Sequence, residues 1–222
     1  MSRVANSGYL EQKVYNEIKE MIISGELQPG ELIIQDQMAR RIGVSRTPLR
    51  RAFTELERDY LLETTSQGLT VKRFSADFIL SIWEVRAGLE GLACRLSARL
   101  IDKPTIAYLR SLFTISYEKW KNENDLDAYR QADIQFHTKL VGIAGNPILQ
   151  RNFGDTHVLT IAFSKGILRS PSETFPEHMD ILDALENNDE YKAEQCMLEH
   201  IRKTIPYISS SLKLATSKDT MR

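Results

Sequence analysis

The sequence predicts a mainly α-helical chain of two domains: three helices and a β-hairpin over residues 1–74, then an all-α bundle of about six helices over 75–222. Three observations carry this. Apolar residues recur at helical spacing along most of the chain, and the only paired short runs with strand character flank Ser66-Gln67-Gly68. Beyond residue 75 no strand pattern, repeat or glycine-rich loop interrupts the helical period. With 222 residues, each part can bury its own core.

In the first part, Leu10, Val14, Ile18, Met21 and Ile22 mark a helix that Gly25 ends. Gln28-Pro29-Gly30 is a turn. A short second helix fits Gln35–Ile42, with Met38, Ala39 and Ile42 inward. Gly43-Val44-Ser45 turns tightly, and Ser45 is placed to cap a third helix. Pro48 falls in that helix's first turn, where its missing N–H costs little. Leu49, Ala52, Phe53 and Leu56 are the buried stripe. Leu61–Thr65 and Leu69–Phe74 read as the strands of a hairpin. Three helices and a hairpin in this order make a winged helix-turn-helix.

Bulk charge points to no partner: the formal net charge is −1, and residues 1–72 hold ten basic and ten acidic side chains. Local placement does point to one. Between Arg40 and Arg51 stand five arginines (Arg40, Arg41, Arg46, Arg50, Arg51) and no acid. Arg46 and Arg50, four apart, share a face directed away from Leu49 and Phe53. A recognition helix enters the major groove with its first residues toward base edges, where arginine pairs with guanine O6 and N7. Thr47 and the free N–H groups of that helix start suit a phosphate, and Arg40 and Arg41 are placed to touch the DNA backbone.

Lys72–Ser75 is a short link, so the two domains are expected to be closely coupled. Beyond it, helices are predicted over Ala76–Leu100, Pro104–Asn122, Leu126–Ala144, Pro147–Leu168, Glu173–Glu186 and Glu190–Leu212. Asp102, Asp125 and Asn146 serve as caps, and Asn187-Asn188-Asp189 makes a tight turn. No apolar run approaches the ~18 residues of a membrane span, and Met1–Gly8 lacks a signal-peptide layout, so a cytoplasmic location is expected. Cys94 and Cys196 are too few for a disulfide framework and read as free thiols.

Polar residues on the inward stripes carry the chemistry. Asp133 and His137 lie on the stripe of Tyr129, Ala132, Phe136 and Leu140; His178 on that of Phe175, Ile181, Leu182 and Leu185; His200 on that of Ala193, Met197, Ile201 and Ile208. His178 lies ten residues before Asn188 and His200 twelve after, so a rise of about 1.5 Å per residue sets them nearly level across an antiparallel hairpin. A buried carboxylate and buried imidazoles need partners. A divalent transition metal supplies one: zinc is the leading expectation, with nickel, cobalt, iron or manganese as alternatives. The competing reading is a hydrogen-bonded polar core in which Asp133 pairs with a protonated His137. Arg86 shares a stripe with Ile82, Trp83, Leu89 and Ala93. It could clamp an effector carboxylate, although an ion pair with Glu90, four residues on, is slightly favoured.

The stretch Gly25-Glu26-Leu27-Gln28-Pro29-Gly30-Glu31-Leu32, then Met38-Ala39, then Gly43-Val44-Ser45-Arg46-Thr47-Pro48-Leu49-Arg50, resembles the GntR family of bacterial regulators. The resemblance implies DNA contacts by Arg46, Thr47 and Arg50, with Gly68 at the wing tip. Two positions depart from the family pattern. Arg51-Ala52-Phe53 stands where Glu-Ala-Leu is usual, and Asp36 occupies a site where some relatives place a DNA-contacting arginine. Further on, Asp133-x-x-Phe136-His137, Gly145-Asn146, Glu177-His178-x-x-Ile181-x-x-Ala184 and Met197-x-x-His200-Ile201 resemble the helical FCD ligand-binding domain of the FadR-type branch. That resemblance implies metal binding by Asp133, His137, His178 and His200, and an effector drawn from small organic acids.

The expectation is therefore a DNA-binding transcriptional regulator, a repressor, acting as a homodimer on a palindromic operator in double-stranded DNA. Two rivals remain. One is a DNA-binding protein whose bundle only dimerises. The other is a metal-dependent hydrolase, against which stand the lack of a separate general base beside the four residues and of a His-Glu-x-x-His motif.

Overall fold

The computed structural model describes residues 2–163 and 169–219. Met1–Ser75 with Val158–Phe163 form one compact unit, and Ala76–His157 with Ser164–Arg222 the other. The first contains α1 (Ser2–Ser24), α2 (Gln35–Ile42), α3 (Arg46–Arg58) and the antiparallel pair β1 (Leu62–Thr65) and β2 (Gly68–Val71). Val14, Ile18, Ile22, Leu49, Ala52 and Leu56 are buried where α1 packs on α3. Gly43 ends α2 in the left-handed region at φ 75°, and its N–H reaches the Ala39 carbonyl.

Three details differ from expectation. Ser45 has the extended backbone of an N-cap but makes no side-chain cap bond, so its hydroxyl does not claim the first N–H groups of α3. β2 stops at Val71 instead of Phe74 because its partner begins at Leu62, opposite Val71. A short segment also pairs along the free edge of β2: Ile33 N–H donates to the Leu69 carbonyl (2.8 Å) and Val71 N–H to that of Glu31 (3.0 Å).

The second unit takes in α4 (Ala76–Ala98), α5 (Lys103–Glu123), α6 (Leu126–Ile143), most of α7 (Pro147–Phe163), α8 (Pro171–Glu186) and α9 (Glu190–Asp219). The six helices match the predicted ones within a few residues, except that α9 runs further; the predicted end of α7 at Leu168 lies outside the described residues. α8 begins before the expected Glu173 because Ser170 and Glu173 form a capping box with Pro171 at its start. α4 and α9 pack closely at Gly91, where a Cβ would lie 2.9 Å from Leu198 Cγ. Among the described residues no helix is long and apolar enough to cross a membrane, and Cys94 and Cys196 are free thiols.

Asp125 caps α6, accepting from Ala128 N–H at 2.9 Å. Asp125→Ala should cost about 1 kcal/mol of stability by denaturant titration; an unchanged midpoint would show that the cap contributes nothing.

Candidate metal centre and nucleic-acid interface

Asp133 and His137 lie one turn apart on α6, His178 on α8 and His200 on α9. The turn at Asn187–Asp189, with Asn188 at φ 53°, reverses the chain so that the His178 and His200 rings stand 4.4 Å apart. Each of the four residues offers one ligand atom, and these atoms all lie within 4.8 Å of one another. His178 Nε2 is 3.2 Å from Asp133 Oδ1, and His137 Nε2 is 3.6 Å from the same oxygen. The three imidazoles are buried; the Asp133 side chain keeps 33% exposure.

The other nitrogen of each ring is held from behind. His137 Nδ1 meets Glu90 Oε2, His200 Nδ1 lies 2.9 Å from Glu177 Oε2, and His178 Nδ1 lies 3.3 Å from the Tyr129 hydroxyl. That hydroxyl is also 3.0 Å from Thr174 Oγ1. His178 and His200 thus have Nδ1 hydrogen-bonded and His137 has Nδ1 against a carboxylate, with Nε2 of His137 and His178 turned toward Asp133, the way metal-ligating histidines are oriented. The backing carboxylates are themselves fixed. Arg86 Nε donates to Glu90 at 2.7 Å; Arg169 forks onto Glu177 at 2.7 and 2.8 Å, and Lys203 adds a third bond at 3.0 Å.

Burial pushes His178 down to about 3, with His200 adding to the effect, and burial also lowers His200, so both rings are neutral with a free lone pair. At His137 burial works the same way but is outweighed by Glu90 and Asp133, which carry it up to about 9. Burial disfavours the charged form of Asp133 too, yet His137 and His178 hold its carboxyl well below the usual range. Glu90 is likewise brought to about 2 against burial, by Arg86 and His137. In this arrangement a proton on His137 balances the two acids, as in the polar-core reading. Among the ring nitrogens that face the other ligands, buried His178 Nε2 has no hydrogen-bond partner, its 3.2 Å approach to Asp133 lacking the geometry of one; behind the cluster His137 Nδ1 and Glu90 Oε2 are in ion-pair contact but likewise form no hydrogen bond. An orphaned lone pair facing a carboxylate and two more imidazoles is a donor set that fits a divalent transition metal.

Arg86 is buried, its guanidinium 4.6 Å over the Trp83 ring and its Nε on Glu90, so the favoured ion pair is present. Sequence reasoning missed that Glu90 also backs His137, and it gave Glu177 and Tyr129 no part. Glu90 could have been found as an acid one turn from Arg86 on a buried stripe. Glu177 stood in the sequence only as the residue before His178 in the FCD-like run, with no role attached.

In the first unit, Arg40, Arg41, Arg46, Thr47 and Arg50 are all exposed. Arg46 pairs with Asp36 at 2.7 Å, Arg41 with Glu26 and Arg51 with Glu11. Arg40 and Arg50 have no ion-pair partner among the described residues. Gly68 opens β2 opposite Thr65 at φ 122°, and a Cβ there would lie 3.2 Å from Leu32 Cδ1, so both backbone and space favour glycine. It closes the wing turn, whose outermost residues are Ser66 and Gln67.

Residues 10–71 match the bacterial regulatory proteins of the gntR family, and residues 81–203 match the FCD domain. The chain belongs to the GntR family. It is a transcriptional regulator, not an enzyme, with the DNA-binding helix-turn-helix and the FCD domain of that family. It is 27% identical over 204 residues to the uncharacterized HTH-type transcriptional regulator YdhC of Bacillus subtilis, covering 90% of this chain and 91% of that one. It is 28% identical over 200 residues to the Nta operon transcriptional regulator of Aminobacter aminovorans, covering 89% and 94%. The solved structure of Escherichia coli McbR/YncC superposes with a TM-score of 0.73 over 91% of this chain and 98% of that one; at 22% identity the likeness shows the fold. FCD domains of GntR regulators are often metal-binding, and the four residues described form a possible site.

Proposed function

We propose that this GntR regulator is a repressor that binds a palindromic operator as a homodimer, and that its FCD domain senses a small organic acid through a bound divalent metal. Asp133, His137, His178 and His200 are the ligands, and zinc is the leading metal. The observation that carries the reading is the convergence of one carboxylate and three buried imidazoles, with the other nitrogen of each ring engaged from behind. A divalent ion held there by these four residues would take an effector carboxylate only by widening its coordination beyond four ligands. The partly exposed Asp133 side chain leaves a side for approach, and the Arg86 terminal nitrogens, stacked over Trp83 but without a hydrogen-bond or ion-pair partner among the described residues, could receive the acid's second oxygen.

Arg46, Thr47 and Arg50 at the start of α3 contact DNA, Arg40 and Arg41 at the end of α2 touch the backbone, and Gly68 brings the wing close to it. The repressor role is supported by relatives named for it, among them RspR of Escherichia coli, 24% identical over 199 residues. An effector changes operator affinity only by the difference in its own affinity for the free and DNA-competent states. Metal analysis of freshly purified protein tests the sensing half: about one divalent ion per chain is expected. A metal-free protein that takes up no zinc would favour a bundle that only dimerises.

Operator binding should weaken steeply with salt. With about three phosphates neutralised per protomer, a plot of log K against log salt has a slope near −5. A slope shallower than about −1 in a fluorescence-anisotropy titration would contradict the assigned phosphate contacts.

A further inference from the structure

We propose that Asp36 is a specificity-determining residue of the DNA-reading head, holding the Arg46 guanidinium so that it addresses a base edge instead of a phosphate. This rests on the reading of α3 as the groove-facing helix. Asp36 is the second residue of α2, and its Oδ2 accepts from Arg46 Nη2 at 2.7 Å. The two residues are joined by elements with little freedom: α2 ends on Gly43 in the left-handed region, and α3 begins at Arg46 after Val44 and Ser45. The Arg46 side chain is 70% exposed, so packing does little to choose its direction. Among the described residues Asp36 is its only ion-pair or hydrogen-bond partner.

An exposed ion pair of this kind adds little to fold stability. Its position gives it another consequence. A guanidinium carries five N–H donors, and guanine O6 and N7 need two. One donor given to Asp36 fixes the fork and leaves enough for the base. The carboxylate also repels phosphates, so the direction in which Arg46 would otherwise swing is disfavoured. Arg50, on the same face, has no such partner and no such restriction. The pair thus lowers affinity for any DNA while preserving affinity for DNA with the right base, which raises the ratio between them.

The test uses the full chain as wild type, Asp36→Ala and Asp36→Asn, on an operator recovered by selection from a random duplex library and on a scrambled duplex of equal length. Base preference is then read from libraries randomised one half-site position at a time. For both variants the scrambled duplex should bind more tightly, and preference at one position per half-site should flatten. The specificity ratio should fall about fivefold or more, the lower range of an arginine–guanine contact. Arg46→Ala should flatten the same position, with no further change when combined with Asp36→Ala. If both duplexes tighten by one common factor and every base preference persists, Asp36 is only a diffuse negative charge and the proposal is overturned. If Arg46→Ala itself leaves all preferences intact, the reading of α3 falls first and this proposal with it, a result distinct from the previous one.

Discussion

Replacing Arg46 and Arg50 together by alanine is expected to abolish operator-specific binding while leaving metal uptake by the FCD domain unchanged. The two side chains stand one turn apart at the start of α3, both exposed, on a helix whose other face buries Leu49, Ala52, Phe53 and Leu56. Neither contributes to that core, so the double variant should fold with an unaltered circular dichroism spectrum. A bidentate arginine–guanine pair discriminates by about 1–3 kcal/mol, so losing two removes at least about 2 kcal/mol, roughly 30-fold, per half-site. A homodimer carries that loss twice. Residual binding should be salt-dependent and indifferent to sequence, because Arg40 and Arg41 remain. Retention of the operator footprint by the folded double variant would remove α3 from the groove.

The second large effect concerns the ligands. His178→Ala and His200→Ala should each lower metal affinity by more than the about 10- to 100-fold that follows loss of a mere ligand-orienting partner. His178 also stacks on Phe113 with ring centroids 4.0 Å apart, so its removal opens a gap in the core as well as the coordination set. Asp133→Asn separates the two effects: it removes a ligand charge from a side chain with 33% exposure and leaves the packing in place. Zinc titration of all three variants against a competing chelator, with melting temperatures measured beside it, reads both. Metal affinity unchanged in Asp133→Asn and His200→Ala would reduce the cluster to a polar core.

Much of this was legible in the residues, for reasons that can be stated case by case. The apolar period placed α2 and fixed most bundle helices because their cores are one-sided stripes that no other element could bury. Counting residues from Asn188 set His178 level with His200, since a tight turn between two helices fixes their register and no proline stands between these two residues. What escaped were pairings made by long side chains across elements. The run from Arg40 to Arg51 contains no acid, yet Arg41, Arg46 and Arg51 each meet one brought by folding: Glu26, Asp36 and Glu11. Glu90 behind His137 and Glu177 behind His200 escaped likewise, because which acid backs which imidazole depends on how α4, α6, α8 and α9 are rotated against one another. The start of α8 had a local signal in Ser170-x-x-Glu173, masked by an apolar stripe that begins only at Phe175.

The coupling of a DNA-reading head to a metal-dependent sensor rests on one ion finding four ligands. Isothermal titration of zinc into the chelator-stripped full chain measures that directly. One site per chain, tight enough to survive gel filtration and absent in His200→Ala, is the result this account requires. A wild-type chain that binds no zinc, nickel, cobalt, iron or manganese under the same conditions, while still protecting its operator, would contradict it.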